Sequence, residues 1–273
     1  MIPLPVEAGE ISYSARGAGE TVVLVHAGVF SDWFLPLSKS RTLDAFRVIR
    51  MRRAGYAGRD PSRHLTIADH AGHFATLAAH LGLGPAHWVG HSSGCQIVLQ
   101  LALDHPALVK TLILIEPAAG GGFVVPAVEE LGRRFVGPAI GAFTAGELHT
   151  AFDLFMRGVC GEHYRSVLEQ RLGVNGVDEA IRQSGFFFRD EVPAVLESTF
   201  SPAQAARIRC PVLVAEGADS AVSGPLSQQI TALATELLPH AAVTRVTGTN
   251  HMMPLQDPDS VARLIQDFVT QRS

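Results

Sequence analysis

The chain has 273 residues, 47% hydrophobic and 18% charged side chains, and a formal net charge of −4. That supply of apolar side chains is enough for a sizeable core, argues against a disordered chain, and fits one large domain or a core with a small insertion. The slight acidity and the lack of a long lysine and arginine run argue against nucleic acid as a partner.

From the N-terminus, MIPLPVEAGE has no basic segment followed by an apolar one, so no signal peptide is expected. No stretch of eighteen apolar residues occurs, so no membrane span is expected and the chain reads as cytoplasmic. TVVLVHAG (21–28) reads as a buried strand running into a glycine loop, and FRVIRM (46–51) as a second strand. The short basic cluster Arg50, Arg52 and Arg53 is expected at a solvated strand end. TIADHAGHFATLAAHLGLG (66–84) carries Ile67, Ala71, Phe74, Ala78 and Leu81 at helical spacing, and Gly82 and Gly84 end it. Its His70, His73 and His80 fall mostly off that stripe and are expected on a wet helix face, with no metal.

AHWVG (86–90) reads as a strand, SGCQIVLQLALDH (93–105) as a helix stopped by Pro106, and TLILIE (111–116) as a strand. VLVAEG (212–217) and AVTRVTG (242–248) are further strands, separated by a helix over 225–239, and DSVARLIQDFVTQ (259–271) is a terminal helix. Strands joined by helices at this spacing predict a mostly parallel α/β sheet covered on both faces. Between Ala118 and Pro202 no strand is convincing. The segment opens with AAGGGFVVP, is rich in phenylalanine, and is expected to be a helical cap (118–202) inserted into a core of 1–117 and 203–273. Cys95, Cys160 and Cys210 are scattered and odd in number, which suits buried free thiols rather than disulfides or zinc.

In open parallel sheets ligands bind beyond the carboxyl ends of the strands. After 86–90 stands Gly90-His91-Ser92-Ser93-Gly94, a serine centred between glycines where a strand gives way to a helix. Such a turn strains its tip and needs small neighbours, and it lifts the serine oxygen above the sheet. Ser92 is therefore the candidate nucleophile, with helix capping as the plainer alternative. The Ser93 N–H would face the site from the helix N-terminus. The loop His26-Ala27-Gly28-Val29 would give a second oxyanion donor, Gly28 N–H or alternatively Val29 N–H, while His26 is expected to be a structural hydrogen-bonding group. His251, in Gly248-Thr249-Asn250-His251 after the last strand, is the candidate base that a serine nucleophile needs.

On these three stretches the chain resembles the α/β-hydrolase superfamily over nearly its whole length. The resemblance implies an α/β-hydrolase fold and a Ser-His-acid triad, and is far more specific for fold than for substrate. Two positions depart from the pattern. Ala27 stands where a glycine is usual, a mild change because the donor is backbone. The family usually carries its acid in G-x-x-D after the seventh strand; here Gly217-Ala218-Asp219-Ser220 puts Ser220 there, with Asp219 one residue early. The alternative is Glu116, in Leu114-Ile115-Glu116-Pro117 after the sixth strand, which Pro117 should hold extended. Haloalkane dehalogenases and zearalenone-type lactonases place their acid similarly. Glu116 is the expected acid, Asp219 the alternative.

These features imply a cofactor-independent serine hydrolase of hydrophobic esters or lactones, with a small-molecule substrate under the cap. A homodimer stays open. A serine nucleophile argues against dehalogenase and epoxide hydrolase chemistry, which need aspartate. Cleavage of a C–C bond in a diketone-like substrate, a haloperoxidase side activity, and a ligand receptor with little turnover are the competing readings.

Overall fold

The computed structural model describes residues 1–118, 120, 125–220 and 226–272. Part of the expected cap opening (119 and 121–124) and the expected helix start at Pro225 lie outside the described residues. Eight strands form one sheet: β1 (Ile2–Val6), β2 (Gly9–Arg16), β3 (Thr21–Val25), β4 (Arg47–Arg52), β5 (Ala86–His91), β6 (Val109–Ile115), β7 (Val212–Gly217) and β8 (Ala242–Val246), in the order β1-β2-β4-β3-β5-β6-β7-β8. β3 to β8 are parallel; β1 and β2 pair antiparallel with each other, and β2 pairs antiparallel with β4.

The first hairpin is an addition to what the sequence suggests. Ile2–Val6 includes two prolines, which periodicity reads as loop, but an edge strand tolerates proline. Its presence corrects two expectations. β4 is an interior strand, flanked by β2 and β3, so the arginines at its end are not a solvated cluster. Arg50 is buried against Asp32 (2.6 Å), Arg52 is half-buried against the same carboxylate (3.0 Å), and Arg53 is wholly buried. The hairpin also covers the face of helix α1 (Ile67–His80) that carries two of the histidines. His70 and His73 are buried, not wet, and His73 Nε2 donates to the Glu7 carbonyl (2.8 Å).

The interior strands are apolar almost throughout because helices cover both faces. Alternate residues face opposite ways. Val23, Val25, Trp88, Leu112, Leu114 and Val214 pack against α1 and α2 (Ser93–Asp104), whereas Val22, Leu24, Val89, Ile113 and Ile115 face the other layer. Fully burying each such side chain contributes about 1.5–3 kcal/mol. Thr66 and Asp69 close a capping box that starts α1 where the periodicity begins.

Between β6 and β7 the described chain is helical: α3 (Pro126–Leu131), a π-helical turn (Gly132–Val136), α4 (Gly137–Thr144), α5 (Leu148–Cys160), α6 (Tyr164–Phe186), a second π-helical turn (Phe187–Glu191), α7 (Val192–Glu197) and α8 (Pro202–Ala205). Their apolar faces share a core with the sheet's rim. Phe152, Met156, Tyr164 and Phe186–Phe188 pack with Phe30, Trp33 and Tyr56 from the loops after β3 and β4, and with Met252 and Leu255. The chain ends with α9 (Leu226–Leu237), the short α10 (Met253–Gln256), and α11 (Pro258–Thr270), whose Val261, Ile265, Phe268 and Val269 close the far face. Cys95 and Cys160 are buried and Cys210 half-buried, all three as free thiols. Among the described residues no helix is long and apolar enough to cross a membrane.

Candidate active site

β5 runs down the middle of the sheet, next to the point where the strand order reverses between β3 and β5. Its end delivers Ser92 at φ +53° and ψ −121°, a backbone that side chains other than glycine avoid at a cost of about 1–3 kcal/mol. The Ser92 N–H donates to the Ile115 carbonyl (3.0 Å) and its carbonyl accepts from Cys95 N–H (2.9 Å), which over-determine the bend. The flanking glycines are needed for space. A Cβ on Gly90 would lie 2.6 Å from the Gly94 carbonyl oxygen, and one on Gly94 would run into the Val25 carbonyl. No side-chain cap bond forms from Ser92 to α2, which goes against the capping alternative.

Glu116 follows β6 and is buried. It does not take the extended backbone expected ahead of Pro117: its φ is +46°, in the left-handed region. The reason is its side chain's partners, which lie across the end of β7. Oε1 accepts from Gly217 N–H (2.6 Å), Ser220 Oγ (2.7 Å) and Ser227 Oγ (3.1 Å), and Oε2 faces His251 Nδ1 at 3.3 Å. Burial alone would raise this carboxyl; the His251 hydrogen bond and charge, with the Gly217 and Ser220 donors, hold it below its ordinary value instead. Asp219 is exposed, and its N–H is tied to the Thr249 carbonyl (2.8 Å). Ser220, at the place where the family's acid usually stands, donates its hydroxyl to Glu116.

His251 is positioned from three sides. His91 Nε2 donates to its carbonyl (2.9 Å), the Trp33 ring meets its ring edge-on at 6.4 Å, and the neighbouring Asn250 Nδ2 donates to the Cys160 carbonyl of the cap (2.9 Å). His91 is held neutral, chiefly by burial and then by the facing His251. Ser92, Glu116 and His251 all line one cavity of about 220 Å³. No Ser92–His251 hydrogen bond is among those of the described residues. Such bonds are often long without substrate and tighten in the complex.

The oxyanion side holds more than the sequence suggests. The Ser93 N–H lies in the first turn of α2, where no helical carbonyl can take it. Gly28 N–H, by contrast, already donates to Ser93 Oγ (2.9 Å). Val29 beside it has a left-handed backbone, at φ +71°. Behind them Ser93 Oγ donates to Glu191 Oε1 (2.6 Å), Arg53 Nη2 pairs with the same oxygen (2.8 Å), and Tyr56 OH donates to Glu191 Oε2. Glu191, Arg53 and Tyr56 carry no sequence signal: the second acid of Arg189-Asp190-Glu191 and two residues of a turn-like loop match no motif. His26 is a structural group, as its place under the loop suggests. Nδ1 donates to the Ala27 carbonyl (2.7 Å) and Nε2 accepts from Arg53 N–H (3.2 Å); burial first, then Arg53, keep it neutral.

The rest of the cavity wall is mostly apolar, with Trp33, Val128, Phe155, Met156, Phe187 and Leu196 among its residues, and no lysine or arginine lines it among the described residues. Of the cap's phenylalanines, Phe155 and Phe187 reach the cavity, while Phe143, Phe152 and Phe188 belong to the apolar cluster that joins the cap to the sheet's rim. Among the described residues no group of three or more His, Cys, Asp and Glu side chains is placed to hold a metal.

Comparison with known proteins agrees with this architecture. A stretch of 144 residues is 30% identical to the dihydrolipoyllysine-residue acetyltransferase component of the acetoin cleaving system of Cupriavidus necator, covering 50% of this chain and 38% of that protein. A stretch of 109 residues is 38% identical to the provisionally named carbamate hydrolase RutD of Yersinia enterocolitica, covering 39% of each. The chain thus spans about two fifths of the length of the curated relatives it matches. Among solved structures, the enol-lactonase of Burkholderia xenovorans superposes with a TM-score of 0.79 at 18% identity, over 98% of this chain and 100% of that one, a likeness of fold. Residues 22–264 match the family model of the alpha/beta hydrolases, and the chain belongs to that family.

Proposed function

We propose that the protein is a serine hydrolase of neutral, hydrophobic carboxylic esters or lactones, acting through an acyl-enzyme on Ser92. The observation that carries this reading is the buried Glu116–His251 contact at the end of the sheet, in the same apolar cavity as a serine on a strained bend. A serine hydroxyl is a weak nucleophile until a base takes its proton. In this reading His251 takes the Ser92 proton as the oxygen attacks the carbonyl, then returns it to the leaving alcohol. Water, deprotonated by the same His251, cleaves the acyl-enzyme. Glu116 holds the Nδ1–H tautomer and stabilises the imidazolium. Ser93 N–H meets the oxyanion directly. Gly28 N–H, oriented by Ser93 Oγ, is shared with the oxyanion as charge develops, and charge-assisted hydrogen bonds are roughly twice as strong.

The cavity narrows the substrate. With no cation on its described wall, a carboxylate or phosphate on the substrate would lose its hydration without gaining a partner. At about 220 Å³ it lies below the roughly 300–1,000 Å³ of pockets for drug-sized ligands, which favours short or medium acyl chains and small lactone rings over macrocycles. The test is a p-nitrophenyl ester chain-length series beside a lactone panel and a carbamate, with a phosphonate probe for the serine. Turnover of neutral esters or lactones, lost in Ser92→Ala, supports the reading. A wild-type chain that takes no phosphonate and cleaves no member of the panel overturns it.

A further inference from the structure

Glu191 belongs to the cap, yet its carboxylate reaches the loops of the core. It sits in the π-helical turn 187–191, and π-helical turns are rare and frequent at functional sites. Its side chain and that of its partner Arg53 are fully shielded from solvent. The turn lies directly on the oxyanion loop: a Cβ on Gly28 would meet the Phe187 ring at 2.6 Å and Glu191 Oε1 at 3.2 Å. The space beside Gly28 is therefore closed by the cap.

The proton directions in this network are fixed. The Arg53 guanidinium can only donate. Burial, and then the charge of Glu191, push the Tyr56 phenol well up, so it stays protonated and donates. Ser93 Oγ accepts from Gly28 N–H and so gives its own proton to Glu191. The carboxylate thus orders two hydroxyls, and one of them, Ser93 Oγ, receives the Gly28 N–H of the loop. A buried charge pair of this kind is weak evidence for stability, but it does fix geometry.

We propose that Glu191, itself fixed by Arg53 and Tyr56, is a positioning residue for the oxyanion hole: through Ser93 Oγ it sets the orientation of the Gly28 peptide, so that the cap helps to tune the field at the reacting carbonyl. The inference rests on the hydrolase reading above. It differs from a purely architectural ion pair in what it does to rate. An architectural role lowers thermal stability and leaves kcat per folded molecule unchanged. A positioning role lowers kcat at nearly constant KM, because the oxyanion exists only in the transition state.

The experiment compares wild type, Glu191→Gln, Ser93→Ala and Ser93→Thr with a neutral p-nitrophenyl ester. It measures kcat, KM, Tm and inhibition by a trifluoromethyl ketone, which forms a tetrahedral oxyanion on the serine. Complete loss of one oxyanion donor lowers kcat by about 10²–10³-fold. Misorientation of a retained donor is expected to lower it by roughly tenfold to a hundredfold in Glu191→Gln and Ser93→Ala, on the same scale. KM should stay within about twofold, the ketone should weaken by the same factor as kcat/KM, and Ser93→Thr should recover most of the loss. Ser93→Ala removes only a hydroxyl, so it keeps the test decisive if Glu191→Gln does not fold. Unchanged kcat and ketone affinity in Ser93→Ala overturn the proposal even where Tm falls. A wild-type chain that neither turns over esters nor takes phosphonate at Ser92 overturns the hydrolase reading, and this inference with it.

Discussion

Glu116 and Glu191 are both buried carboxylates bonded to residues that line the Ser92 cavity, yet their partners differ in kind. Glu116 is held by one backbone N–H and two serine hydroxyls, all neutral, and faces an imidazole. Glu191 is held by a guanidinium, a phenol and a hydroxyl. Among the described residues no fixed cation stands beside Glu116, so in the proposed mechanism its charge is left to favour the imidazolium formed at His251. The charge of Glu191 is already answered by Arg53, so what it offers is the orientation of hydrogen-bond donors rather than its own charge. A buried carboxylate can therefore be ascribed a chemical or a positioning role by asking whether a permanent cation reaches it first.

The comparison is most severely tested by removing the hydroxyl that both glutamates are proposed to serve. Ser92→Ala should lower ester or lactone turnover by at least roughly 10⁴-fold, on the scale of nucleophile deletions in triad enzymes, with the fold retained by circular dichroism. Glu116→Gln should come next. It keeps shape and hydrogen-bonding size but removes the charge, and the corresponding change in a serine protease triad lowers kcat by about 10⁴; a loss of roughly 10²–10⁴-fold in steady-state kcat is expected here.

Beside Arg53, the ion-pair partner of Glu191, a further signature is expected in the pH dependence of stability. His26 and His70 are fully buried near Arg53, and burial first, then Arg53, depress both. Their unfolded-state value is about 6.5. A group neutral in the fold that protonates on unfolding leaves stability intact above that pH and lowers it below. Each histidine should remove up to about 1.4 kcal/mol per pH unit as pH falls below about 6.5. Thermal melts across pH 7.5 to 5 should show the decline; a Tm that is flat through this window goes against the buried neutral histidines. Smaller effects separate the members of the Glu116 cradle. Ser220→Ala removes one donor of three and should cost only several-fold in kcat, an effect of about 1 kcal/mol. Asp219→Asn should change kcat by less than about twofold, since its side chain is exposed and surface substitutions rarely move more than about 0.5 kcal/mol.

The two sides also differ in how well the sequence announces them. The parallel strands, the serine bend and the Glu116 position are readable because each is a local pattern: an apolar run, a glycine-flanked serine, an acid at a strand's end. Glu116 even stands out by default, because Ser220 cannot carry charge where a carboxylate is usual. The left-handed backbone at Glu116 is not readable, since it follows from partners a hundred residues away. Glu191, Arg53 and Tyr56 are invisible for the same reason: their meeting is a product of cap docking, 135 or more residues apart in the chain. His70 and His73 mislead in the opposite direction. They lie off the main apolar stripe of α1, yet both are buried, His73 against the turn of the proline-bearing hairpin, itself missed.

The central claim, a nucleophilic serine served by His251 and Glu116, is tested most directly by trapping the covalent intermediate. Wild type and Glu116→Gln would be mixed rapidly with a neutral p-nitrophenyl ester, quenched in acid and digested for mass spectrometry. The account predicts an acyl group on the peptide bearing Ser92, formed in a burst by wild type and far more slowly by Glu116→Gln. Turnover of that ester with no acyl group on Ser92, or with equal burst rates in the two proteins, would contradict it.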